Sequence, residues 1–256
     1  MLRALGAGMS LVLIFGGCGK PGGREVLANV IFVQGNVIFD SGKGSTHHSQ
    51  PATPESRLHV GDRLDTSPDA AAALSLIPGI FIQMGGGTEI IIKQMRVEKQ
   101  GDAMVNAIKS RLASLRVNRG VVRASLPDVG SGQCELRLET DLGTVVAQRG
   151  ALFSVRLTNE TLRVLCVDGV VHWRNASTRR VDEIQEGYFR DYDRNAASTD
   201  NFVPGQVPVS DDAEAQRDVT SALEAGAAFD EFILRVRNAP APKSSHPFRP
   251  QRPQSP

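Results

Sequence analysis

The strongest constraint on the fold of this chain is a two-residue period of apolar positions, repeated along most of its length and broken by turn signals. Leu74, Leu76, Ile80, Ile82 and Met84 alternate across Pro78-Gly79. Successive side chains of a strand point to opposite faces, so this spacing predicts strands with one face buried. Pro78 and Gly79 fit the second and third positions of a type II turn, where glycine supplies the positive φ, and a hairpin follows. Val30 to Val33 and Val37 to Phe39 flank Gly35 in the same manner. Gly85-Gly86-Gly87 leads into Thr88 to Ile92 with no Lys-Ser or Lys-Thr behind it, which makes it a strand-connecting turn rather than a phosphate cradle. Leu136 and Leu138, then Phe153, Val155 and Leu157, then Leu162, Val164 and Cys166 continue the pattern. Asn159-Glu160 and Asp168-Gly169 separate the later strands, the second pair being a type I′ signal. Many short strands with turns between them predict a mainly β fold, an antiparallel β-sandwich or jelly-roll-like domain.

Two segments change period. Asp102 is placed to cap one short inserted helix with Met104, Val105, Ile108, Leu112 and Leu115 along one side. Over residues 209–237, Ser210 with Asp211-Asp212 opens a C-terminal amphipathic helix whose predicted buried face is Val219, Leu223, Phe229, Ile233 and Val236. Arg235 and Arg237 complement its end before Pro240, and Gly226 is a point where it can kink. Residues 238–256 carry Pro240, Pro242, Pro247, Pro250, Pro253 and Pro256, with Lys243, Arg249 and Arg252 and no acidic residue. Such a tail forms no regular hydrogen-bonded element and is expected to be extended and disordered, either an inert terminus or a basic, polyproline-like arm that touches an anionic envelope surface.

The first residues indicate the compartment. Met1-Leu2-Arg3 is a short basic start, Ala4 to Phe15 is uncharged, and Gly16-Gly17-Cys18 follows, the layout of a secretory signal peptide over residues 1–17. The apolar run is shorter than the roughly 20 residues that span a hydrocarbon core. Small residues directly before Cys18 resemble a bacterial lipobox, with Phe15 where leucine is usual, so Cys18 is the expected lipidation site and residues 18–24 the linker. A plain cleaved signal with a spare thiol is the alternative. Gly19 after the cysteine suggests an outer-membrane lipoprotein facing the periplasm or exported to the surface.

Composition then removes whole classes of function. Lys+Arg 29 against Asp+Glu 28 give a formal charge of +1, which lacks the basic field that non-specific nucleic-acid binding needs, so no nucleic acid is expected as a partner. Three cysteines are too few for a disulfide scaffold and none has metal-ligand spacing. His47-His48, in the polar stretch Ser41 to Arg57, lacks a third ligand, so no metal is expected. With Cys18 consumed by lipid, Cys134 and Cys166 are left, both in core phase, and a disulfide between them is possible alongside two free buried thiols.

Catalytic constellations are weak. Ser154, Asp168 and His172 include the types of a nucleophilic triad, but Ser154 is out of phase with Phe153 and Val155 and no glycine-framed serine elbow occurs. Asp182-Glu183, with Glu186, reads as a solvated strand edge. No catalytic residues and no cofactors are therefore expected. Trp173, Tyr188, Phe189 and Tyr192 concentrate aromatic surface late in the sheet, either to close the core or to present a ligand or partner surface for a sugar or peptide.

The order of motifs resembles a known family. Val60-Gly61-Asp62-Arg63-Leu64-Asp65-Thr66 and Ala73-Leu74-Ser75-Leu76-Ile77-Pro78-Gly79, with Ile80 and Ile82, are similar to the first block of FecR-type periplasmic domains. Gly120-Val121-Val122, Leu138-Glu139-Thr140, Arg149-Gly150-Ala151-Leu152-Phe153-Ser154-Val155, a Val164 to Val171 hairpin and Glu186-Gly187-Tyr188 follow in that family's order. Ala151 replaces the usual threonine and Pro78 the usual aspartate. The resemblance covers about Val26 to Asp193, within a predicted β domain of residues 25–195. It implies an extracytoplasmic binding or sensor domain without catalytic residues. The cytoplasmic part with which regulators of this type touch a sigma factor has no counterpart in Met1 to Arg3. The expected function is a lipid-anchored, non-catalytic binding or sensor domain of the bacterial envelope. Its expected partners are a bacterial membrane, through the anchor, and an envelope protein or glycan; the alternative is a regulator acting through a separate sigma-factor partner.

Overall fold

The period-two segments become strands in the computed structural model, which describes residues 24–42, 49–99, 108–128, 132–194 and 205–238. In chain order they are β1 (Arg24–Glu25), β2 (Ala28–Gln34), β3 (Val37–Asp40), β4 (Ser49–Pro51), β5 (Arg57–Leu58), β6 (Arg63–Thr66), β7 (Ala71–Ile77), β8 (Ile80–Met84) and β9 (Glu89–Lys99). Then come β10 (Ile108–Leu126), β11 (Gln133–Glu139), β12 (Gly143–Gln148), β13 (Ala151–Leu157), β14 (Thr161–Asp168), β15 (Val170–Asn175), β16 (Val181–Gln185), β17 (Tyr188–Asp193) and β18 (Val207–Pro208). A 3-10 turn, Val209–Asp211, leads into the helix α1 (Ala213–Asn238).

The strands form two stacked sheets. The first runs β4-β3-β6-β9-β10-β11-β12-β15-β16, with β1 beside the far end of β9. The second runs β5-β2-β7-β8-β10-β13-β14-β17-β18. β10 belongs to both, its first half pairing β9 and β11 and its second half pairing β8 and β13. Gly120, at φ 91°, sits where it changes sheet; only glycine adopts that conformation readily, and a Cβ there would lie 2.4 Å from Thr88 Cα. The β10–β11 ladder is parallel and the rest are antiparallel. The sandwich stays open, since the sheets do not close into a barrel.

The ladders repeat. β2–β7, β3–β6, β7–β8, β6–β9, β9–β10 and β8–β10 form one antiparallel set. β10–β13, β11–β12, β13–β14, β12–β15, β15–β16 and β14–β17 reproduce it in the same chain order. Gly187, at φ 78° between β16 and β17, is the counterpart of Gly120. Two topologically equivalent units therefore share the second half of β10.

Between the sheets lies one continuous core, including Leu74, Leu76, Ile82 and Met84 from one side and Ile90, Leu115, Leu136 and Val145 from the other, all at 0% exposure. Burying each such side chain contributes about 1.5–3 kcal/mol, which is why the alternation is a reliable guide to these strands.

Three sequence expectations are corrected. The inserted helix is absent over its described part: Ile108, Leu112 and Leu115 lie in β10, where Ala113, Leu115 and Val117 are buried with period two and Leu112 is half-exposed. Ladders on both sides of the strand override its helical spacing; Met104 and Val105 lie outside the described residues. Val164 to Val171 is a corner, not a hairpin, because β14 and β15 belong to different sheets. Gly169 there has φ 77° and Asp168 is not among the positive-φ residues, so the turn is not type I′. On α1 the buried positions are Ala215, Asp218, Ala222, Ala225 and Phe229, whereas Leu223 is 52% exposed. Small residues let the helix lie close to the sheet. Val236 and Arg237 have side chains outside the description, and Cys18, His47, His48 and residues 239–256 lie outside the described residues.

Candidate functional site

The two outer faces of the sandwich are treated differently. α1 covers the outer face of the second sheet, packing on β10, β13 and β14. Ala225 and Phe229 pack with Ala73 and Phe81, the Phe81 and Phe229 rings stacking at 5.2 Å. Ala215 packs with Leu165 and Phe189. Asp212 caps the helix, accepting from Ala215 N–H at 2.7 Å, and that bond holds its carboxyl below the usual range. Buried Asp218 accepts from Arg156 of β13 and lies 3.9 Å from Arg123 of β10, whose guanidinium pKa is lowered chiefly by burial. Arg163 of β14 pairs with Asp191, Asp212 and Glu214 and lies 4.5 Å over the Phe189 ring, the Asp191 hydrogen bond being the main cause of its raised pKa. Sequence reading missed this ionic clamp; its only trace was the acidic residues at the start of the helix.

The outer face of the first sheet carries no packed helix among the described residues. Cross-strand register lays its side chains in rows across β10, β11, β12, β15 and β16: Ser114, Arg137, Val146, His172 and Glu183 in one, and Arg116, Glu139, Thr144, Arg174 and Val181 in the next. These rows form a shallow groove of about 500 Å³ lined by Arg137, Glu139, Thr144, Val146, His172 and Arg174. A neighbouring hollow of about 400 Å³ continues it over Leu112, Glu135 and Gln148 to Arg149. Ser114 Oγ donates to Glu139 at 2.7 Å, and Arg137 pairs with Glu135. Both signs of charge, hydroxyls, an amide and an imidazole thus stand on a rigid sheet, an arrangement that can hydrogen-bond an extended polar chain. Alternation with Leu136 and Leu138 puts Glu135, Arg137 and Glu139 on the outward face, but it is strand order, which parity does not contain, that brings them beside His172 and Arg174.

The edge of this sheet is also occupied. Gln185 N–H of β16 donates to Gln206 Oε1 at 3.2 Å, and Gln206 Nε2 donates to Glu183 carbonyl at 2.8 Å. One side-chain amide thereby makes both hydrogen bonds that a partner strand would make there.

The aromatic surface is corrected. Trp173 and Tyr192 stack at 3.7 Å and are buried in the core, Phe189 is buried beneath α1, and only Tyr188 is partly exposed. Trp173 and Tyr192 close the sandwich and Phe189 packs under the helix, so of the four only Tyr188 keeps accessible surface. Asp182, 7% exposed, sits beside this stack and pairs with Arg180 and Arg190, whereas Glu183 faces outward from the same strand, so the two carboxylates do not converge. Ser154 is buried on β13, His172 stands on the open face of the other sheet, and Asp168 is exposed at the end of β14, so the structure does not bring these three together. Cys134 and Cys166 are buried as their phase predicts, but both are free thiols. Cys134 Sγ lies 3.8 Å from Gly79 carbonyl, and Cys166 Sγ 3.4 Å from the carbonyls of Asp168 and Gly169. Burial raises both thiol pKa values, that of Cys166 to about 12.

No family model matches the chain, and no curated protein matches it. Two crystal structures of a "putative anti-sigma factor" from Parabacteroides distasonis, at 1.65 and 2.50 Å resolution, resemble it at 13% and 14% identity with a TM-score of 0.39 in each case. The likeness covers 57% of this chain and 59% of that one, so it spans about three fifths of the neighbour's length.

Proposed function

We propose that the chain is a non-catalytic binding or sensor domain of the bacterial envelope, tethered to a membrane through lipid on Cys18. The observation that carries this reading is the asymmetry of the sandwich: α1 packs on one outer face, while on the other no helix among the described residues covers the polar groove of Arg137, Glu139, His172 and Arg174. A rigid sheet displaying fixed polar groups suits recognition of an envelope protein segment or a glycan. If Cys18 carries several long acyl chains, each buried methylene adds about 0.8 kcal/mol, enough for permanent attachment.

Two measurements test the proposal. Radiolabelled palmitate should enter the wild-type protein and not Cys18→Ser, and the mature N-terminus should map to Cys18. Cross-linking in the native envelope should capture a partner that Arg137→Glu with Arg174→Glu releases while melting is unchanged. No acylation defeats the anchor; capture that ignores the groove variant defeats the binding face. The runner-up is a regulator working through a separate sigma-factor partner, and it rests on the FecR-type motif order. It requires that deleting this protein change the output of such a factor.

A further inference from the structure

The apolar end of α1 overhangs a third hollow that neither the clamp nor the open groove uses. Val30, Ile31, Pro54, Pro78, Phe81, Phe232 and Ile233 line it, with a volume of about 540 Å³. Pro78 comes from the β7–β8 turn, Phe81 from β8 and Ile31 from β2, and Phe232 meets Phe81 edge-on at 6.2 Å. Aromatic rings and prolines framing a shallow apolar slot are how polyproline-type segments are recognised, because a preformed extended helix loses little entropy on docking.

The chain itself supplies such a segment. Pro247, Pro250, Pro253 and Pro256 recur every third residue, matching the three residues per turn of polyproline II, so all four fall on one edge of that helix. Arg249 and Arg252 share a second edge. The tail contains no acid, whereas exposed Glu55 directly follows Pro54 of the slot and exposed Asp230 stands two residues before Phe232. Reach is sufficient: Asn238 to Pro247 spans about 28 Å at 3.1 Å per residue, and Phe232 lies only about 9 Å back along α1 at 1.5 Å per residue. We propose that the slot at the end of α1 receives the chain's own Pro247–Pro256 segment, folded back as a strap across Phe232, Phe81 and Pro78.

A photoreactive phenylalanine analogue at position 248 of the full-length chain tests this at high dilution. The expected product is internal, joining position 248 to peptides containing Pro54, Pro78, Phe81 or Phe232. It should be lost in Ile233→Glu. Because that variant can also disturb packing, a second one replaces Pro247, Pro250 and Pro253 by Gly, which leaves the slot unchanged and should abolish the same product. The strap is overturned by the absence of a cross-link, by cross-links to the open face of the other sheet, or by a product that survives both variants. A product joining two chains also overturns it and assigns the slot to the tail of a second copy.

Discussion

Asp218 of α1 and Arg156 of β13 form a two-point ion pair, with Nη2–Oδ1 at 2.5 Å and Nε–Oδ2 at 3.3 Å, and the Asp218 side chain is 4% exposed. Removing the carboxylate leaves Arg156 and Arg123 facing each other under the helix. Arg156 keeps its 3.2 Å contact with the more exposed Glu214, so Asp218→Ala should cost about 1–2 kcal/mol, from loss of the buried member of the cluster, and Asp218→Asn less, since an amide oxygen still accepts. Thermal melting ranks the variants, and amide hydrogen exchange should show the loss concentrated in α1.

The Gln206 amide on β16 predicts a solubility effect more than a stability effect. In Gln206→Ala the outward Gln185 N–H and Glu183 carbonyl are freed, and a bare strand edge pairs readily with another chain. Concentration-dependent self-association in sedimentation, with nearly unchanged melting, is the expected result.

Gly79 and Gly120 both have positive φ, 85° and 91°, but their surroundings differ. A Cβ on Gly79 meets nothing within 4 Å, whereas on Gly120 it lies 2.4 Å from Thr88 Cα and 2.4 Å from Thr88 Oγ1. Gly79→Ala should therefore cost about 1 kcal/mol from backbone strain alone. Gly120→Ala should cost clearly more, because strand β10 and the turn at Thr88 must separate. Equal losses in denaturant melts would contradict this.

Stability should fall at alkaline pH. Cys166 ionises near 9 when unfolded and near 12 in the fold, where burial disfavours the thiolate. Between those values the native state holds a proton that the unfolded state has released, so stability declines as pH rises through that window. Cys134 and Tyr192 shift in the same direction, also through burial. Cys166→Ala should flatten the decline, which chemical denaturation at pH 8 to 11 would show. Asp212 acts oppositely: its lowered pKa makes the cap stabilising above the ordinary carboxylate range and lost as pH falls through its folded value.

Much of the sandwich was legible because apolar parity reports burial directly, as at Leu74, Leu76, Ile82 and Phe153. The inserted helix was misread because Ile108, Leu112 and Leu115 satisfy helical spacing too, and only the flanking ladders of β9 and β11 decide between the two. The site was less legible. Trp173 and Tyr192 look alike as anchors or as core until pairing places them face to face. The open groove depends on β15 lying next to β12, a contact between segments about thirty residues apart that no local pattern encodes.

Because β10 closes the first set of ladders and opens the second, the two halves are unequal in time. A chain released N-terminus first has every partner of the first unit available once Leu126 has emerged. The second unit then grows on an edge that already exists. A product ending shortly after β10 would display that template unfilled, with the sites meant for β11 and β13 side by side. Such a fragment carries no second half to exchange, so its bare β10 edge should pair with strands of other chains, and interrupted synthesis would yield edge-to-edge aggregates rather than a half-size soluble domain.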